Sequence, residues 1–157
     1  MGYAIDRISI FNHCGWTFTV GQDFEAEVIH NGLTLRVYNH KYEVSISSTQ
    51  VQSRTDAPFS AEDILKKFPP AELTGVVFEH KNKKYKLYGK ALWMMAHDED
   101  QGNQWVLMSL MIHQRLQKMA TMTVVCPSKK DYKWAVKLWR GLSYIPEMSA
   151  PYVQKPM

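Results

Sequence analysis

Residues 105–144 read WVLMSLMIHQRLQKMATMTVVCPSKKDYKWAVKLWRGLSY, and this stretch decides the fold. Trp105 to Leu116 is an extended segment apolar on both faces, with Val106, Met108, Leu110 and Ile112 on one and Leu107 and Met111 on the other. Met119 to Cys126 reads as a second strand. Pro127 and a Ser128…Asp131 capping box then open an amphipathic helix that runs to Tyr144. At about 100° per residue, Tyr132, Trp134, Ala135, Val136, Leu138, Trp139 and Leu142 share one broad arc, and Lys133, Lys137 and Arg140 take the remainder. A strand apolar on both faces has to be covered on both, so this strand, strand, helix unit lies inside a layered domain.

Upstream, the periodicity is that of strands. Trp16, Phe18 and Val20 alternate with threonines, and Phe24 to Ile29 extends that strand beyond the Gly21-Gln22-Asp23 break. Asn31-Gly32 is a hairpin signal, since both residues tolerate positive φ. Leu33, Leu35 and Val37 then alternate with polar neighbours, and Asn39-His40 turns the chain into Tyr42, Val44 and Ile46. Ser60 and Asp63 cap a short helix over Ala61 to Phe68, which Pro69-Pro70 ends because proline cannot donate to the helical ladder. About two turns of helix cannot stand alone in water and must dock on the sheet. Val76 to His80 and Tyr85 to Met95 form a further hairpin turning at Lys81-Asn82-Lys83, and His97 to Asn103 is a polar loop. Strands occur in runs rather than in βαβ alternation. The expected fold is therefore α+β: a mainly antiparallel sheet of six or seven strands with a short central helix and a longer C-terminal helix packed on it. Residues 1–145 form one domain in this reading, and 146–157 form an irregular tail containing Pro146, Pro151 and Pro156.

The gross numbers narrow the class. A chain of 157 residues with 45% hydrophobic and 22% charged content suits one globular domain with a real core. No apolar run reaches the ~20 residues of a membrane helix. Asp6 and Arg7 sit where a signal peptide would need an apolar centre, so a cytoplasmic location is expected. Cys14 and Cys126 are then read as reduced thiols. A net charge of +4 is compatible with acidic partners without demanding nucleic acid.

No catalytic or cofactor signature emerges. The six histidines form no His-x-x-x-His or His-x-His pair, and two distant cysteines supply no zinc spacing, so no metal is expected. Asp98-Glu99-Asp100 misplaces the glycine that a calcium loop requires, and reads as a solvated hairpin tip. Gly-rich phosphate loops, nucleophile elbows and dinucleotide fingerprints are missing, so no cofactor is expected either. Cys14 or His113 in a pocket is the enzymatic alternative. Two features point to partner binding instead. Lys84, Lys86 and Lys90 share one strand face with Tyr88, which would favour an acidic partner surface, although such lysines also guard exposed strands. Six of the nine methionines, including Met108 and Met111, fall between residues 94 and 122, where flexible thioethers could fill the core or form an adaptable apolar surface. Lys84, Lys86, Tyr88, Lys90, Met108 and Met111 are the candidate contact residues.

The order of segments resembles the PsbP/DcrB/Mog1-like α/β/α sandwiches. Leu33 to Val51, Ser60 to Phe68 and Lys84 to Leu142 carry the likeness; within the last, Tyr-Lys-Leu-Tyr-Gly, the Trp105 to Gln117 strand, Met-Ala-Thr-Met-Thr-Val and Trp-Ala-Val-Lys-Leu-Trp stand in the family order. The resemblance implies a binding protein, since bacterial members include chaperones and accessory proteins of secreted toxin effectors. Effector chaperones open on a strand with Trp followed by Asp and Ser, whereas Trp16 is followed by Thr17-Phe18-Thr19. The leading expectation is thus a non-catalytic immunity protein that binds a toxin effector, with an effector chaperone as the alternative. No site residue carries over from the resemblance, and the oligomeric state stays open.

Overall fold

The computed structural model describes residues 8–21, 23–51 and 59–148. Two antiparallel sheets face each other. The larger contains β3 (Glu25–Ile29), β4 (Thr34–Tyr38), β5 (Glu43–Gln50), β6 (Val76–Asn82), β7 (Leu87–Asp98), β8 (Gly102–His113) and β9 (Lys118–Cys126) in the order β3-β4-β5-β9-β8-β7-β6. The smaller contains β1 (Ile8–His13), β2 (Trp16–Gly21) and the two-residue β10 (Ser143–Tyr144), in the order β1-β2-β10. Among the described residues two α-helices complete the architecture, α1 (Ala61–Leu65) and α2 (Tyr132–Arg140). The expected α+β class and the mainly antiparallel sheet, with seven strands, are what the molecule has.

Period-two alternation in β7, β8 and β9 sends one set of side chains to a covered face. Leu35, Ile46, Met122, Ser109 and Ala91 lie in register across it, from β4 to β7. The buried Ser109 hydroxyl donates to the Met122 carbonyl at 2.8 Å, which removes the cost of a polar group in this row. Two layers share the cover. The small sheet contributes Phe11, Trp16, Phe18 and Val20 on the β4–β5 side, and α2 contributes Ala135, Leu138 and Trp139 on the β8–β9 side, with Leu142 just beyond its end.

The seat of α2 is fixed at Gly89. A Cβ there would stand 2.6 Å from the Leu110 carbonyl oxygen and 2.8 Å from Cζ2 of Trp139, so the missing side chain lets the indole lie on bare backbone. The Trp139 Nε1 donates to the Leu110 oxygen at 3.3 Å. The capping box read from the sequence is present: Ser128 accepts from the Lys130 amide, and Asp131 returns to the Ser128 amide.

Several local readings are corrected. Phe24 to Ile29 does not continue the Trp16 strand; Asp23 adopts φ +81°, the chain leaves the small sheet there, and β3 pairs with β4 in the large one. The β6–β7 turn lies at Lys83–Lys86 rather than Lys81–Lys83, because Asn82 pairs with Leu87 and its side chain accepts from the Tyr85 amide. β7 and β8 reach Asp98 and Gly102, so the polar loop after His97 is mostly ladder. α1 stops at Leu65 rather than Phe68. Of the expected tail, Pro146–Met148 forms a 3-10 turn whose last carbonyl accepts from the Asn12 side chain, and 149–157 lie outside the described residues.

Gly89→Ala should cost about 1–3 kcal/mol, because the methyl group must displace either the β8 backbone or the Trp139 ring. The expected signature is a lower urea midpoint with an unchanged slope and a weakened near-ultraviolet tryptophan signal. An unaltered midpoint would contradict the seat described for α2.

Candidate functional site: the open face of the large sheet

The second face of the large sheet carries much less. Its rows run from hydroxyls to apolar side chains: Thr34, Ser47, Thr121, Leu110 and Lys90 in one, and Arg36, Ser45, Thr123, Met108 and Leu92 in the next. The β4, β5 and β9 half is lined mainly by hydroxyls, with the Arg36–Glu43 ion pair, Met119 and Val125 among them, and with Thr34 and Ser47 hydrogen-bonded at 2.8 Å. The β7 and β8 half is apolar, and α1 is the only helix that touches it among the described residues.

Side chains from the sheet hold α1 in place. Gln114, just beyond β8, accepts from the Ala61 amide and donates to the Phe59 carbonyl, both at 2.7 Å. This clamp satisfies a helix N-terminal donor that five residues of helix cannot. Ser60 caps a second donor by accepting from Asp63. At the other end the Lys90 Nζ donates to the Leu65 carbonyl at 3.2 Å. The positioned helix and the sheet enclose a groove of about 450 Å³ lined by Asp63, Ile64, Lys67, Phe68, Pro70 and Leu110.

The six expected contact residues are not brought together. Tyr88, Lys90 and Met108 do share the open face, half-buried. Lys90 spends its ammonium on α1 and so does not form a strip with the others. Lys84 and Lys86 lie in the hairpin turn, Lys86 at φ +58°, which removes the strand face they were assigned to. Met111 is fully buried on the covered face beside Ala120 and Gly89; it is a core residue and leaves the contact set. Gln114, Ile64 and Phe68 escaped the sequence reading. The clamp of Gln114 spans more than fifty residues, and no local pattern signals it.

The enzymatic alternatives find structural employment for their residues. His13 is buried, and its Nε2 lies 3.1 Å from the Leu33 carbonyl, an acceptor only, so this nitrogen carries the proton. It therefore cannot act as a base toward the Cys14 sulfur 3.9 Å away. Burial also pushes the Cys14 thiol up, away from the thiolate. Burial pushes Cys126 to about 12. The Nδ1 of His113 accepts from the Leu116 amide and closes the turn after β8. Asp98 accepts from the Asp100 and Gln101 amides as the tip of its hairpin. Among the described residues, no three His, Cys, Asp or Glu side chains are grouped to hold a metal, and no helix is long and apolar enough to cross a membrane.

The two stacked sheets, with α2 beside the small sheet and α1 on the opposite side, define the chain as having a PsbP-like α+β fold. Solved structures that share it include cyanobacterial PsbP (CyanoP) from Synechocystis, with a TM-score of 0.55 at 9% identity over 92% of this chain and 96% of that one. A protein from Bacteroides thetaiotaomicron matches with a TM-score of 0.57 at 14% identity over 88% of this chain; the present chain spans about half of that structure, 48%. No protein-family model and no curated protein matches the sequence.

Three histidines give the fold a pH dependence of definite sign. Burial lowers His13, His80 and His113 from the usual 6.5, and is the largest cause in each. Below that value the unfolded chain binds protons that the folded chain refuses, so stability falls as pH drops from about 7 toward about 5. The urea midpoint should follow this course, and His13→Gln should flatten part of it. A midpoint that rises on acidification would refute the assignment.

Proposed function

We propose that the protein is a non-catalytic binder of another protein, acting in the cytoplasm as an immunity protein that neutralises a toxin effector, within the PsbP/DcrB/Mog1-like group. One observation carries the reading: the open sheet face, where an apolar half notched by the α1 groove adjoins a hydroxyl-lined half. This is the anatomy of a protein interface, an apolar centre with a polar border on a rigid support. The support is stiff because β7 and β8 pair over twelve residues each. Stoichiometric inhibition asks for such a surface and needs no reactive group.

The groove itself favours the second reading. Its apolar lining of Ile64, Phe68, Pro70 and Leu110 suits the anchor residue of an amphipathic helix, the ligand an effector chaperone would take. The methionines at 94, 108 and 119 lie on the same face and would adapt to different helices.

Co-expression with the product of the adjacent gene tests both. The immunity reading expects a stoichiometric complex and protection of the host from that product. Met108→Glu and Ile64→Asp, each checked for an unchanged circular dichroism spectrum, should weaken the complex at least about tenfold. Complex formation without protection would move the assignment to the chaperone. If no complex forms, both readings fall.

A further inference from the structure

On the side of the molecule away from the open face, α2 presents three cations to solvent. Lys133, Lys137 and Arg140 recur at i, i+4 and i+7, which places them in one row. Among the described residues no carboxylate lies within salt-bridge distance of any of them. Arg140 is oriented by β6: its Nη2 donates to the Glu79 carbonyl at 2.9 Å, and its guanidinium stands 6.0 Å from the Phe78 ring centre.

Along this row runs a groove of about 730 Å³. Phe78, Tyr132 and Val136 form one part of its lining, and Val20, Trp134 and Leu138 another. Tyr132 is 36% exposed and stacks on Phe78 with ring centres 6.3 Å apart, so the wall is aromatic and already organised. The nearest helix carboxylate, Asp131, is engaged by the Tyr42 hydroxyl and the Ser128 amide. An apolar floor is therefore bordered by positive charge alone on its helix side.

We propose that this groove docks an acidic, amphipathic segment of a partner protein. Apolar side chains of the segment seat against Phe78, Tyr132 and Val136, and its carboxylates meet Lys133, Lys137 and Arg140. Arg140 offers a planar fork suited to bidentate pairing with a carboxylate. Nucleic acid would also meet the cations, but the aromatic rings are not free to stack on bases. Tyr132 lies on Phe78, and Trp134 lies between Tyr42 at 4.3 Å and Phe24 at 6.4 Å. The groove lies on the α2 side of the molecule and the open face on the α1 side, so either assignment can fail without the other.

The test uses three probes with the whole chain. They are a synthetic helical peptide of leucine and glutamate, the same peptide with glutamine for glutamate, and single-stranded oligothymidylate, each followed by fluorescence anisotropy. The acidic peptide should bind saturably, and raising salt from about 50 to about 300 mM should weaken it about tenfold or more. The charge-reversed pair Lys133→Glu and Lys137→Glu should abolish most of that salt dependence. Tyr132→Ser should weaken binding while keeping the salt slope. Lys133 and Lys137 are exposed, so the charge reversal should leave thermal unfolding where it is in the parent protein. Equal binding of the glutamine peptide, indifference to charge reversal, or preference for oligothymidylate would each overturn the proposal.

Discussion

The contact of the Trp139 indole with the main chain at Gly89 orders much of the molecule. Helix α2 can approach the sheet this closely only because β7 has no side chain at that point. With the ring against β7 at Gly89 and hydrogen-bonded to β8, the rotation of the helix is fixed. Ala135, Leu138 and Leu142 are then turned inward, and the lysines of the same helix are turned out. The chain leaving α2 is carried to β2, where Ser143 and Tyr144 add the short third strand. One missing Cβ thus links the large sheet, the helix and the small sheet.

The two faces of the large sheet are built on different chemistry. On the covered face the contacts are apolar and continuous, and hydrophobic burial dominates. On the other face α1 is attached by directional bonds from Gln114 and Lys90, together with the fully buried methyl group of Ala61. Such bonds contribute about 0.5–1.5 kcal/mol each, far less than a packed layer. The first face provides stability, and the second leaves surface available for other molecules.

Much of the large sheet was legible because its strands keep period two and its helix keeps a clear apolar arc. Trp105 to Leu142 follows this pattern, except that β8 ends at His113 rather than Leu116 and the helix stops at Arg140, with Ser143 and Tyr144 passing into β10. Of the small sheet, β2 was legible from Trp16, Phe18 and Val20, and β1 was not, for a specific reason. That first strand buries Ser9, Asn12 and His13 alongside Phe11, so the alternation that announces a strand is overwritten by polar residues. Two of them are held by main-chain partners: the side chain of Asn12 by the Gly15 amide and the Met148 carbonyl, and Nε2 of His13 by the Leu33 carbonyl. The candidate site was read less well than the fold. Alternation placed Met108 and Met111 on opposite faces, but which face would be covered depended on the unseen β1-β2-β10 layer. The lysines were misassigned because β6 runs two pairs beyond His80, Lys81 with Tyr88 and Asn82 with Leu87, which shifted the turn and took Lys84 and Lys86 out of the strand.

Arg140 also bears on how this protein can associate. β6 ends the large sheet, and an unpaired edge is ordinarily a template on which a foreign strand can grow. Here a guanidinium from another layer occupies a main-chain carbonyl near the middle of that edge, at Glu79. A strand arriving alongside would first have to displace it and then pass the charged Lys81. The helix therefore acts as a stopper for a sheet that it otherwise merely covers. Growth by strand addition is disfavoured at this border, and recognition is left to the broad faces.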